Sequence, residues 1–149
     1  MKSLKLQSFI GKASVAIDAA GRTNFPREFR KIMAEEAEGQ VVVTIAEGKT
    51  LALYPLPAWN EYMLKLEQAD RGPEYSKFKT RITAMAKLSV LDGQNRISLT
   101  PEQMKYAGIQ GDVTFVGDGK RIRLWSPVAY KDQIETVTSE EEARYEAWF

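Results

Sequence analysis

Two arginines, each four positions after an aspartate, are the residues of this chain best placed to do chemistry. Asp18-Ala19-Ala20-Gly21-Arg22 returns as Asp92-Gly93-Gln94-Asn95-Arg96, with the aspartate and the arginine displaced by the same offset. A guanidinium is a permanently charged, planar fork of N–H donors that fits a guanine edge or a phosphate, and an aspartate beside it can accept backbone N–H groups and set a turn. The chemistry on offer is recognition of anions and base edges. Catalysis is poorly served, because the chain has no His and no Cys. That removes the commonest acid/base residue, disulfides and thiolate metal sites. An enzyme using the Asp18 and Asp92 carboxylates is the weakest reading; no cofactor, metal or small-molecule substrate is expected.

The elements that carry these turns are duplicated too. Gly48-Lys49-Thr50-Leu51-Ala52-Leu53-Tyr54 matches Gly119-Lys120-Arg121-Ile122-Arg123-Leu124-Trp125, and Trp59 matches Tyr130 at the same offset. The order turn, helix, hairpin, aromatic is kept, at a spacing far above solenoid repeats, so the chain holds two copies of one small module. Ala13, Val15 and Ile17 alternate into the first turn and Ala86, Leu88 and Val90 into the second, as apolar faces of half-buried strands. Thr23 and Phe25 resume beyond the first turn, which places Asp18 to Arg22 on a hairpin. Gly21 suits a positive φ there, and Asn95, its counterpart, is the next-best residue for it. Asp18, Gly21, Asp92 and Asn95 then set the turns, and Arg22 and Arg96 are presented by them.

Each turn feeds a helix. Pro26 suits a first helical position, with Phe29, Ile32 and Met33 forming an inward stripe and Arg27, Arg30 and Lys31 on other faces. Thr100, Pro101 and Gln103 fit an N-cap, an N1 proline and a capping-box partner, and Gly108 can end that helix. Hairpins follow, Val41 to Ala46 with Thr50 to Tyr54 and Asp112 to Val116 with Arg121 to Trp125, turning at Glu47-Gly48-Lys49 and Asp118-Gly119-Lys120. Gly117-Asp118-Gly119-Lys120 lacks the pattern and following helix of a phosphate loop. Antiparallel helices over Ala58 to Ala69 and Glu74 to Met85 flank the break Asp70-Arg71-Gly72-Pro73, the second with a stripe of Tyr75, Phe78, Ile82 and Met85. Ser139 and Glu142 suggest a capping box opening a last helix. Its Tyr145, Trp148 and Phe149 need a surface to cover, on this chain or a neighbour's. Tyr54, Trp59, Trp125 and Tyr130 read as packing rather than base-stacking platforms.

With 149 residues, 44% of them hydrophobic, the chain can bury one sizeable core or two small ones that share an interface. Met1 to Lys5 and the residues after them show neither a signal peptide nor a membrane span, so a soluble intracellular protein is expected. The formal charge of +1 hides a division. Lys12, Arg22, Arg27, Arg30 and Lys31 outweigh Asp18 and Glu28, and Lys77, Lys79, Arg81, Lys87 and Arg96 outweigh Asp92. From Asp132 onward the balance reverses, with Glu135, Glu140, Glu141, Glu142 and Glu146. Positive charge gathers around the repeated turns, where a polyanion could dock; Arg27, Arg30 and Lys12 join Arg22 and Arg96 as candidate contacts to it.

The opening Phe9-Ile10-Gly11, the Asp18 to Arg22 turn with Pro26 behind it, Leu53-Tyr54-Pro55-Leu56-Pro57 followed by Trp59, and the second turn Asp92 to Arg96 together resemble the MraZ family. The resemblance spans roughly residues 8 to 130 and leaves out the acidic tail. It implies an α+β fold of two tandem SpoVT/AbrB-like β-rich modules, residues 8–57 and 80–127, forming an intrachain swapped-hairpin pseudo-dimer, with a helical connector at 58–79 and a helical acidic tail at 128–149. It also implies a sequence-specific DNA-binding repressor of the division and cell wall gene cluster, working on the nucleoid in the cytoplasm. Such a protein would assemble as a ring, an octamer or larger, and read repeated promoter boxes in double-stranded DNA through Arg22 and Arg96. The alternative is an antitoxin-like interaction module that holds a protein partner with its acidic tail.

Overall fold

β1 (Lys12–Ala16) leads into the first turn and β2 (Arg22–Asn24) leaves it, yet the two do not form a ladder. The computed structural model describes residues 8–69 and 71–149, so the Met1 to Lys5 stretch and Asp70 lie outside the described residues. In it β1 crosses to β7 (Asp112–Asp118) of the second half, and β5 (Lys87–Val90) makes the reciprocal crossing onto β3 (Gln40–Ala46) of the first. With β4 (Thr50–Pro55) and β8 (Arg121–Trp125) they form an antiparallel six-stranded sheet of order β1-β7-β8-β4-β3-β5, which keeps its pattern when the halves are exchanged. β2 pairs instead with β6 (Arg96–Ser98) in a separate two-stranded ribbon. The fold is α+β, and its halves are swapped into one another.

The hairpin expected at Asp18 to Arg22 is therefore corrected to a tight turn at a crossing, with Ile17 and Thr23 the one pair bridged across it. Halves this short bury too little surface alone. Crossing lays each lead-in strand on the other half's hairpin and brings Phe25 edge-on to Phe115, centroids 6.1 Å apart. A single core results, in which Phe9, Phe25, Phe29, Met33, Leu53, Phe115, Ile122 and Leu124 are fully buried.

A second correction concerns β5. Its apolar residues Leu88 and Val90 face outward, 59% and 60% exposed, while Lys87 and Ser89 are half-buried. β5 is an edge strand and alternation identifies two faces without saying which is covered.

The helices follow their local signals. α1 (Arg27–Ala37) starts just after Pro26 and buries Phe29 and Met33. α2 (Leu56–Gln68) and α3 (Pro73–Ala84) are joined across their break by the Tyr75 hydroxyl, which donates to the Leu66 carbonyl at 2.6 Å. α4 (Pro101–Ala107) carries the full Thr100/Gln103 capping box and ends on left-handed Gly108. α5 (Pro127–Tyr130) runs into a π-helical segment, Lys131–Glu135. α6 (Ser139–Tyr145) is capped by Thr138, whose hydroxyl accepts from Glu141 N–H at 3.1 Å, so the cap lies one residue before the expected Ser139. Among the described residues no helix is long and apolar enough to cross a membrane.

Candidate nucleic-acid interface

The two turns are built alike, bond for bond. Asp18 Oδ1 accepts the backbone N–H groups of Ala20 at 3.0 Å and Arg22 at 2.9 Å, and its Oδ2 accepts Arg22 Nε at 2.9 Å. Asp92 repeats the arrangement, taking Gln94 N–H at 2.9 Å, Arg96 N–H at 3.0 Å and Arg96 Nε at 2.9 Å. In each turn the arginine's backbone N–H, followed by its guanidinium, holds the carboxyl below the ordinary aspartate value. Gly21 (φ 85°) and Asn95 (φ 56°) both take the left-handed conformation the turn requires. A Cβ at Gly21 would also collide with the Leu99 carbonyl.

The halves lock these turns together. Leu99 N–H donates to the Gly21 carbonyl at 2.8 Å, and Phe25 N–H donates to the Asn95 carbonyl at 2.7 Å. Along the ribbon Arg22 stands opposite Ser98, Thr23 opposite Ile97 and Asn24 opposite Arg96. Thr23 and Ile97 are buried beneath it, and the two-residue period turns Arg22, Asn24, Arg96 and Ser98 to the other side. Arg22 and Arg96 are thus diagonal cross-strand neighbours, with backbones about 7–8 Å apart by ordinary sheet geometry. A cleft of about 330 Å³ is lined by Asp18, Arg22, Asn24 and Arg96.

Because Asp takes only Nε, the terminal nitrogens of both arginines make no hydrogen bond among the described residues, and the side chains are 60% and 42% exposed. Tethering at Nε aims the fork without using it up. Arg27 is exposed at the start of α1 with no ion pair among the described residues. Arg30 spends its Nε on the Phe25 carbonyl at 2.9 Å, bracing the end of the ribbon. Lys12 does not join the cleft: its ammonium lies 3.6 Å from the Glu135 carboxylate and 5.3 Å above the Tyr130 ring.

A family model described as MraZ protein matches residues 8–80 and again residues 82–147. The chain belongs to the MraZ family. A transcriptional regulator MraZ from Methylobacillus flagellatus is 34% identical over 136 residues, covering 89% of this chain and 90% of the relative. Those of Thiobacillus denitrificans and Thermomicrobium roseum are 31% and 32% identical, each across 88% or more of both chains. Membership in the MraZ family places the chain among transcriptional regulators, not in an enzyme family.

Two features of this MraZ chain escape a reading from the repeated motif alone. Asn24 and Ser98 share the exposed ribbon face with the arginines, and the two-residue period counted onward from Arg22 and Arg96 would have found them. Arg121 and Arg123, half-buried on β8, carry no such signal. Arg121 reaches Asp118 at 2.8 Å, the Tyr54 hydroxyl at 3.2 Å and Glu47 at 3.1 Å. Arg123 donates to the Glu47 carbonyl at 2.8 Å and to the Thr50 hydroxyl at 2.6 Å, with its guanidinium 5.0 Å from the Trp125 ring. These bonds tie the first half's hairpin to the second half's strand. Beside them the expected packing pairs form, Tyr54 with Trp59 and Trp125 with Tyr130, each edge-on at 5.7 Å.

Proposed function

We propose that the chain is a repressor that binds double-stranded DNA by laying the β2–β6 ribbon in a major groove. The observation that carries this is the convergence of Arg22 and Arg96, tethered at Nε and open at their terminal nitrogens, on one exposed face of a two-stranded ribbon. A major groove admits such a ribbon, and the bidentate pairing of Arg with guanine is the commonest specific contact there. Asn24, opposite Arg96 and two residues beyond Arg22 on the same face, has the donor and acceptor that adenine N7 and N6 call for. Arg27 and Arg30 at the start of α1 would contact the flanking phosphates; Lys12, held by Glu135 and Tyr130, would add to the general field. Asp18, Gly21, Asp92 and Asn95 set the turns and leave the DNA to the arginines. The reading unit takes both modules, residues 8–57 and 80–127, joined by 58–79 and followed by the tail at 128–149.

One ribbon offers few base contacts, so high affinity calls for several copies on one DNA. Assembly as a ring, an octamer or larger, would make later contacts effectively intramolecular and favour operators made of repeated boxes. Membership in the family supports a reading in which the target is the promoter of the division and cell wall gene cluster, on the nucleoid in the cytoplasm. The test is a salt-series titration of DNA upstream of the protein's own gene against scrambled DNA of equal length, with wild type and Arg22→Ala. Preference for the native DNA, lost in the variant, supports the reading. Equal binding of both DNAs would reduce the ribbon to a phosphate contact.

A further inference from the structure

The C-terminal segment and the flank of α3 are complementary, and within one chain they do not meet. After Tyr130 every residue is exposed, and Trp148 and Phe149 reach 87% and 100%. Glu140, Glu141, Glu142 and Glu146 form no ion pair among the described residues. On the other side, the tip of the β3–β4 hairpin and helices α2, α3 and α4 enclose a cavity of about 360 Å³ walled by Tyr54, Tyr62, Phe78, Tyr106, Arg81 and Arg121. Arg121 is occupied by Glu47, Asp118 and Tyr54, but the Arg81 guanidinium has no partner among the described residues, nor does the ammonium group of Lys77 one turn before it on α3. No residue of the C-terminal segment lines the cavity.

We propose that this cavity receives Trp148 and Phe149 of a second copy of the chain, with the segment's glutamates lying against Lys77 and Arg81. The volume sits at the lower end of the range for small-ligand pockets, enough for one bulky aromatic side chain with its neighbour at the mouth. Four aromatic walls favour an aromatic occupant, which would itself bury about 150–250 Å². The charges are complementary: a run of glutamates faces a basic helix whose cations are otherwise unspent. A segment on one copy that fills a cavity on the next is a heterologous contact, which closes into a ring when its rotation closes and does not stop at a dimer. The contact therefore rests on the assembly proposed above and supplies a joint for it.

The experiment is sedimentation velocity of the full chain over a range of concentrations, with two variants and their mixture. Trp148→Ala/Phe149→Ala removes the plug and Phe78→Asp/Arg81→Glu spoils the socket. All four residues are exposed, so both variants should keep the wild-type melting temperature. Wild type should assemble, and each variant alone should associate at least about tenfold more weakly. The mixture should form a dimer and stop there, because only the intact plug of one variant can enter the intact socket of the other. If wild type stays monomeric throughout, both the assembly and this contact fall, and the segment is left for a foreign protein or its own chain. If wild type assembles and the variants assemble equally well, or fail to complement when mixed, this contact alone is overturned.

Discussion

Asp18 holds the backbone N–H groups of its turn at 3.0 and 2.9 Å, and Asp92 holds their counterparts at 2.9 and 3.0 Å. Underneath, the two halves share a strand pattern but fill several equivalent positions differently. Phe29 packs edge-on against Phe9 at 5.8 Å, where the equivalent position in the second half is Gln103, fully buried and donating to the Val43 carbonyl at 2.9 Å and the Met85 carbonyl at 2.8 Å. The first half places Thr50 and Ala52 where the second has Arg121 and Arg123. Exposed turns are ordinarily where related segments drift and interiors are where they agree. Here the surface agrees and the interior has drifted. Packing can be satisfied in two ways, by a ring stack or by a bonded amide, but a fork aimed by its own Nε requires one geometry, and both halves keep it.

Breaking the interior should have the largest effect. Phe29→Ala should destabilise by about 3–5 kcal/mol through lost transfer energy and the cavity left behind. Gln103→Ala should cost about 2–3 kcal/mol for another reason, because it strands the Val43 and Met85 carbonyls without donors and removes the helix cap's partner. Urea unfolding measures both, and a Gln103→Ala protein as stable as wild type would show that water satisfies those carbonyls. Next come the turns. Gly21→Ala combines a positive φ with a collision at the Leu99 carbonyl and should cost on the order of 2 kcal/mol or more. Asn95→Ala, which already tolerates a Cβ, should cost about 1 kcal/mol. Equal losses would mean that φ alone governs the turns and the close approach to Leu99 yields.

The arginines sharpen the comparison on the DNA side. Arg22→Ala should weaken binding to the native operator by about 1–3 kcal/mol per engaged site and leave the unfolding midpoint unchanged, since an exposed ion pair contributes little to stability. Arg96→Ala should act in the same direction and less strongly, its side chain being the more covered of the two, 42% exposed against 60%. Equal losses would mean that the ribbon reads symmetrically; an unchanged operator affinity for Arg96→Ala would confine reading to the first half.

What is local was legible in the sequence. The Thr100/Gln103 box, the Gly108 stop, the left-handed Asn95 and both Asp-to-Arg turns follow from residues within a few positions of one another. Strand partners were not legible that way. A two-residue period gives β1 two faces but no neighbour, and the crossing to β7 came from the family resemblance. Leu88 and Val90 show the same limit, because alternation cannot tell a covered face from an open one at a sheet edge. Charge was the least legible of all. Lys12 belongs by sequence to the basic neighbourhood of the first turn but is drawn to Glu135 from the far end of the chain, and Arg30 has its Nε tethered to the Phe25 carbonyl, leaving only its terminal nitrogens for a phosphate. The Arg121 and Arg123 network depends on Glu47 and Thr50 of the other half, contacts that no window of sequence contains.

The smallest expected effect is also the strictest test of whether the turns are electrostatically equivalent. Both Asp18 and Asp92 carry lowered pKa values in the fold, first because of the arginine's backbone N–H and then because of its guanidinium. A carboxylate whose folded value is depressed contributes stability that is fully present above its unfolded value, about 3.9, and is lost as pH falls through the folded value. At neutral pH, then, both turns are fully braced. In a ¹³C NMR titration of the side-chain carboxyls both aspartates should show midpoints below 3.9, close to one another, with the neighbouring arginine Nε signals moving at the same pH. Asp18→Asn should leave the first turn able to accept its N–H groups through the amide oxygen, erase that titration, and leave the midpoint of Asp92 in place. A midpoint for Asp92 at the ordinary value, with Asp18 still depressed, would mean that the second turn is unbraced in solution and that its arginine is not held ready as the first one is.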